Sequence, residues 1–527
     1  MKNKKPVRII LMVLAALICI GSMGYANSNA RRKAALKKKI YDASQKTIQH
    51  YYDTYEPREF AGLMDWPALG LYGFGEDISG PVWTVNGKNA AYWREEQVKA
   101  KEGLSETKNT DYQRTLIGIV SANRDPRNFG GIDFVKTVKE TMLPNGHFAD
   151  SVKDTRTKVP IGDDLINSQC FGIISLYCAG EPTPNRDKAI RWLEKNQHVD
   201  GGFTWDVKDY SDKEDYLKVT SDVDMTASTL MAFSILKMDT NYPPVKRALE
   251  FLKNQQLDNG GFQSWGVQNP ESTIWAIQAL LMHGENPLDK AWEKTKDCGP
   301  VEFILKHQLE NGTFTHVLDE KDMLPVYDNS MTTYEALYGM ADAYNEETTY
   351  TKLYKANRPQ SEKLLFSDFK EGDYGYNEAV EAAYDYVIDI YADGTFKPHK
   401  NVTKGELARY MVNALNLQDE FYSKYSGDEL KFVNENSDVL EIDSEDNYIK
   451  LCLEKGIFQG IDSLDKEGEK EREIRSDELI PALLNGGKLI NKNLEAEKLE
   501  FDSFISGETV SRAQCAVSLS KFMKLVK

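Results

Sequence analysis

The sequence predicts an all-α protein: a double ring of helix pairs, followed by a second, mainly helical region. Three observations lead there. Residues 188–203, "KAIRWLEKNQHVDGGF", return 59 positions later as "RALEFLKNQQLDNGGF" (247–262). Helices that are apolar nearly all round alternate with helices apolar on one face, the pattern of an inner and an outer layer. After residue 358 that pattern gives way to a different, more acidic one.

The N-terminus reads as an export signal. Lys2, Lys4, Lys5 and Arg8 precede the apolar run "IILMVLAALICI" (9–20), and small residues Gly24 and Ala26 follow. This pattern predicts cleavage after Ala26, and the run is short for a membrane span. Arg31, Arg32, Lys33, Lys37, Lys38 and Lys39 follow closely, which opposes export and leaves an uncleaved anchor as the alternative. The same basic residues also offer non-specific attraction to an anionic wall.

Residues 27–358 are expected to form the ring. A third copy of the repeat is "FILKHQLENGTF" (303–314) and a fainter one is "LPNGHF" (143–148), so Phe148, Phe203, Phe262 and Phe314 close successive units at spacings of 55, 59 and 52. A period above fifty leaves room for two helices per unit. The one-faced helices place Ala189, Trp192 and Leu193, then Ala248, Phe251 and Leu252, at i, i+3, i+4. The all-apolar helices precede them over 163–180, 222–236 and 272–284, with an earlier pair over 111–122 and 132–142 and a last helix over 330–344. The glycines supply positive φ at helix ends. Cys170 and Cys178 lie on one predicted helix, about 12 Å apart by its rise, so no disulfide framework follows.

These phrases resemble the QW-type repeats of the prenyltransferase and squalene/hopene cyclase superfamily, whose fold is the α/α toroid. The pattern falls on Lys188, Ala189, Trp192, Leu193, Gln197, Gly201 and Phe203, and on Arg247, Ala248, Phe251, Leu252, Gln256, Gly260 and Phe262. The third copy keeps Phe303, Ile304, Gln308, Gly312 and Phe314, with phenylalanine replacing the usual closing tryptophan. Read physically, the glutamine ties helix ends together and the ring packs between neighbours.

"SDVDMTA" (221–227) resembles the DxDDTA signature of class II terpene cyclases, in which the middle carboxylic acid protonates an alkene. The match makes Asp222 the first position and Asp224 the proton donor, with Met225 where a third Asp is usual and His283 as the nearest partner by helix position. An Asp at a helix start also caps free N–H groups without any catalysis. Asp297 and Cys298 with His307 and His316 do not reproduce a zinc prenyltransferase site, "DCGPVE" (297–302) is not a thioester motif, and no metal or cofactor is expected.

Residues 359–527 are expected to bind cell wall. "FSDF", "YADGTFKP" and "VTKGELA" within 366–417 resemble an S-layer homology (SLH) module. Residues 432–485, with "IRSDELIPAL" placing Ser476 where a basic residue belongs, and 499–527, with "VSRAQ", resemble degenerate second and third copies. SLH trimers bind secondary cell-wall polysaccharides, pyruvylated ones included. The resemblance assigns polysaccharide contact to Lys404, Glu406, Arg512, Gln514, Asp368, Asp438 and Gly394, a cation pairing with an acidic ketal. The net charge of -17, of which residues 359–527 carry -13, excludes nucleic acid as a partner.

The reading that follows is an exported protein, held non-covalently on wall polysaccharide at the cell surface, displaying a toroid that binds a small ligand or partner. The alternatives are a tethered enzyme, cyclase-like through Asp224 or acting on polysaccharide, and a structural spacer of a surface layer.

Overall fold

The computed structural model describes residues 5–205, 207, 220–318, 327–425, 445–461, 463–492, 494 and 508–526, with side chains from residue 28 onward. Helix accounts for 54% of the chain. The hairpin Phe262–Ser264 with Val267–Asn269 is the one strand pair among the described residues. The chain is therefore all-α. It divides into two compact units, residues 1–56, 70–76 and 253–349, and residues 57–69, 77–252 and 350–527.

In the first unit, the apolar helix Pro270–Met282 packs against Ser330–Asn345, and the long N-terminal helix Lys5–Thr54 packs on Ser330–Asn345 and Pro300–Leu305. The expected cut after Ala26 falls inside that long helix. Among the described residues no helix is long and apolar enough to cross a membrane. Gly339 lets the two inner helices touch, since a Cβ there would stand 2.6 Å from Ile274. Buried Asp342 accepts from Gln278 Nε2 (2.7 Å) and from the Thr349 backbone N–H (2.6 Å), and burial raises its carboxyl to about 6.

The basic run after residue 30 does not stand free. Arg32 pairs with Glu302 (2.6 Å), Lys33 with Asp289 (2.8 Å) and Lys37 with Glu346 (2.6 Å). The expectation that these cations attract the wall is corrected for those three: they clamp the N-terminal helix to carboxylates more than 250 residues away in sequence.

In the second unit, helix Ile166–Cys178 lies between Asn109–Ser121 and Val223–Ile235. Its all-round apolar sequence is buried on most sides, whereas Arg186–Lys195 shows the one-faced pattern. In the C-terminal region, Tyr376–Tyr384 and Ser476–Ile490 both pack on Arg512–Val526, and Lys404–Ala414 packs on Glu445–Glu454. This region is docked on the Arg186–Lys195 helix. Asp187 accepts from Tyr422 Oη (3.0 Å) and Tyr448 Oη (3.2 Å), and the Arg191 guanidinium lies 4.3 Å from the Tyr422 ring centre. Cys170, Cys178, Cys298, Cys452 and Cys515 are all free thiols.

Candidate functional site

The recurring corner has a single construction. Gln197 Nε2 donates to Gly201 O and to Pro244 O, at the start of the next outer helix, both at 2.8 Å. Gln256 Nε2 donates to Gly260 O (3.1 Å) and Trp292 O (2.9 Å), and Gln308 Nε2 to Ala43 O (2.8 Å). Each corner glycine is in the left-handed region, and a Cβ would strike the same neighbour: Arg247 O for Gly201, Cys298 O for Gly260, Lys46 O for Gly312. At the third corner the N-terminal helix thus stands where an outer helix stands at the others.

The closing rings Phe148, Phe203, Phe262 and Phe314 are fully buried. The backbone N–H of each of the last three donates to a threonine one turn into the following inner helix: Thr226 (2.9 Å), Thr273 (3.0 Å) and Thr333 (2.9 Å). Gln169 takes that part for Phe148 (2.7 Å).

Counting back four residues from each threonine aligns the helix starts. Asp222 falls with Asn269 and Asn329, and all three are N-caps: Asp222 accepts from Met225 N–H (2.8 Å), Asn269 from Ser272 N–H (2.7 Å) and Asn329 from Thr332 N–H (3.2 Å). An amide does this work in two of three corners, so the position is built for capping. Burial nevertheless raises the Asp222 carboxyl to about 7; the Met225 N–H opposes that shift and the neighbouring Asp224 charge adds to it. Asp224 lies in the first turn of the Val223–Ile235 helix, and His283 caps the far end of its own helix, Pro270–Met282.

The same alignment places Glu271 at the position of Asp224, and sequence reasoning missed it. Glu271 is buried and accepts from Thr332 Oγ1, while His316 Nδ1 lies 3.0 Å from both its oxygens. His307 is buried nearby in the same unit and its imidazole is pushed down to about 4. The signal was the NxxxT spacing from Asn269 to Thr273, legible only once the corners are superposed.

The C-terminal candidates gather at one centre. Val402 N–H donates to Val510 O (2.8 Å), Val510 N–H to Ile474 O (3.1 Å), and Ile474 N–H to Val402 O (2.9 Å), a closed three-way cycle. The helix starting after each of these residues is capped from its third position: Thr403 with Glu406 and Ser511 with Gln514 are reciprocal caps, and Glu478 accepts from the Arg475 backbone N–H (2.9 Å) without a return bond, since a guanidinium has no acceptor. Glu406 also receives Lys400 Nζ (2.6 Å).

Lys404 and Arg512 point inward. Lys404 is buried and donates to Lys466 O (2.6 Å). Arg512 is buried between the Tyr391 and Phe396 rings and donates to Phe396 O (2.8 Å), Asp389 O (2.8 Å) and Tyr410 Oη (2.6 Å). Asp368 accepts from the N–H groups of Phe396 (2.8 Å) and Lys397 (2.9 Å). Gly394, at φ +75, forms the turn whose carbonyl receives Ser367 N–H. Asp438 lies outside the described residues.

The prenyltransferase alpha-alpha toroid domain matches residues 116–263 and 220–350, and the S-layer homology domain matches residues 365–408. The chain carries an α/α toroid and an SLH domain. No curated protein matches it. Among solved structures, the type II terpene cyclase MstE from Scytonema in complex with geranylgeranyl dihydroxybenzoate is similar at 12% identity and a TM-score of 0.39, over 61% of this chain and 99% of that one. A protein from Actinoplanes is similar at 11% identity and a TM-score of 0.37, over 60% of this chain and 99% of that one. The SLH domain implies association with the cell-surface S-layer, and SLH domains generally bind cell-wall polysaccharide.

Proposed function

We propose that this is an exported surface protein, with residues 1–26 as its export signal, held on secondary cell-wall polysaccharide by residues 359–527 and displaying a toroid, residues 27–358, that binds a small ligand or partner. The observation that carries this reading is the closed hydrogen-bond cycle at Val402, Ile474 and Val510. It supports three structurally equivalent modules where only the first keeps a full motif. On this reading Lys404, Glu406, Arg512 and Gln514 act chiefly by fixing the helix starts that border the polysaccharide grooves, with Asp368 and Gly394 shaping the adjoining turns, and Asp438 keeps the polysaccharide contact that the motif resemblance assigns it.

Binding is favoured over catalysis in the toroid because Asp222, the first acid of the resembled signature, makes a helix cap that asparagine makes at two other corners, and Met225 stands where the third acid would support the donor Asp224.

The test uses the full chain and purified walls. Intact walls are expected to retain the protein, free secondary polysaccharide to compete it off, and walls stripped of that polymer to let it pass. Equal retention on stripped walls sinks the reading.

A further inference from the structure

A cleft of about 160 Å³ opens in the second unit among three helix starts. Trp66 comes from the start of Asp65–Gly73, Asp111 and Arg114 from Asn109–Ser121, and Asn167 and Phe171 from Ile166–Cys178, with Lys108 immediately before its helix. The volume is well below the roughly 300–1,000 Å³ of a drug-sized site, so its occupant is small. Trp66 and Phe171 meet edge to face with ring centres 5.8 Å apart, giving an apolar wall suited to a flat body.

The polar groups set the occupant's charge. Asp65 is buried and carries Arg94 at 3.0 Å and Thr115 Oγ1 at 3.1 Å. It also accepts from Arg114 Nε (3.2 Å), which fixes the plane of that guanidinium. The terminal nitrogens of Arg114 donate no hydrogen bond among the described residues, the nearer approach being NH1 to Asp111 Oδ1 at 3.7 Å. A guanidinium held by its Nε with its outer edge open is prepared for a two-point bond to a carboxylate. Lys108 adds a second cation, so the cleft carries one net positive charge with Asp111 counted, in a chain of net charge -17. Helix starts add favourable dipoles for an anion. Asn167 Oδ1 is buried without a hydrogen-bond partner, an acceptor awaiting a donor.

We propose that this cleft binds a small, flat carboxylate that also bears an N–H or O–H donor, with Arg114 gripping the carboxylate, Trp66 and Phe171 together walling one side of the ring, and Asn167 accepting from the donor. The proposal deepens, and rests on, the reading of the toroid as a ligand-binding body.

Pyrrole-2-carboxylate is a probe of that description, and its neutral amide, pyrrole-2-carboxamide, is the matched control. Titration calorimetry on the full chain is expected to show saturable binding of the acid, with the amide weaker by at least about tenfold. Arg114→Gln is expected to weaken the acid by a similar factor and to leave the amide unchanged. The acid–amide comparison needs no variant, so misfolding cannot mask it. Equal affinities, an Arg114→Gln protein that binds the acid as before, or no binding of the acid at about 10 mM overturns the proposal. Wall retention measured on the same preparation separates the two claims: retention without probe binding removes only the cleft, and probe binding without retention removes only the wall anchor.

Discussion

The corners of the toroid and the centre of the C-terminal region both gather helix starts, and they use different parts of the chain to do it. In the toroid a side chain makes the tie. Gln197, Gln256 and Gln308 each link a corner carbonyl to a neighbouring segment, at Pro244, Trp292 and Ala43, so each of these three corners needs its glutamine, its glycine and its threonine, and the sequence repeats visibly. At the C-terminal centre the backbone makes the tie. The cycle through Val402, Ile474 and Val510 uses only N–H and C=O groups, which every residue but proline supplies. An apolar residue and a cap partner are all that each copy must keep. This explains why the second and third modules retain so little motif, and why none can be removed without breaking two links of the cycle.

The largest expected effect breaks the C-terminal centre. Arg512→Ala leaves the carbonyls of Phe396 and Asp389 and the Tyr410 hydroxyl without their donor and opens a gap between two rings. Three buried acceptors left without their donor cost together about 3–5 kcal/mol, at roughly 1–3 kcal/mol each. Gln256→Ala, which breaks one toroid corner, costs about 1–2 kcal/mol by the loss of two neutral hydrogen bonds. Urea unfolding of the two variants is expected to rank them in that order, with wall retention falling for Arg512→Ala in step with its stability. Lost retention at an unchanged unfolding midpoint would instead mean that Arg512 touches the polymer, and the contrast between side-chain and backbone ties would need redrawing.

The intermediate effect concerns the corner that carries an acid where the others carry amides. Asp222 has its carboxyl raised from the ordinary Asp range to about 7, mainly by burial. Between roughly pH 4 and 7 the unfolded chain has released this proton and the folded chain still holds it, so stability falls as pH rises through that window and is level above it. Asp222→Asn keeps the cap, as Asn269 and Asn329 show, and removes the titration. The variant is expected to match the native chain near pH 4 and to exceed it by on the order of 2 kcal/mol at pH 8. Identical pH profiles would show that Asp222 is ionised in the fold at neutral pH and that the three caps are equivalent in charge environment.

Much of this was legible in the sequence, and what was missed has a physical pattern. The helix pairs, the buried closing rings and the glutamine ties follow from short-range rules repeated at a fixed offset, and one copy checks another. Lys404 and Arg512 take polysaccharide contact from a motif, which gives position along a helix and not which face is covered; Arg512 is covered by Tyr391 and Phe396, neither predictable from its own helix. Arg32, Lys33 and Lys37 looked free because their partners lie more than 250 residues away. Glu271 was hidden because it reads as an ordinary acid in a helix's first turn until the corners are aligned on Thr226 and Thr273.

The smallest effect sharpens the comparison among the corners themselves. The 262–269 corner is built as a hairpin whose two-residue turn is Trp265–Gly266, both at positive φ (52° and 80°). Such turns favour Asn-Gly, since a bulky side chain in the left-handed region clashes with its own backbone. Trp265 is also 80% exposed, so burial does not offset that strain. Trp265→Asn is therefore expected to raise stability by about 0.5–1 kcal/mol, read as a small upward shift in the unfolding midpoint. A rise means that the indole is kept on this corner against the preference of the turn, for a contact the folded chain does not itself supply. A fall means that the indole packs on its own hairpin, and the corner then differs from its neighbours only in backbone geometry.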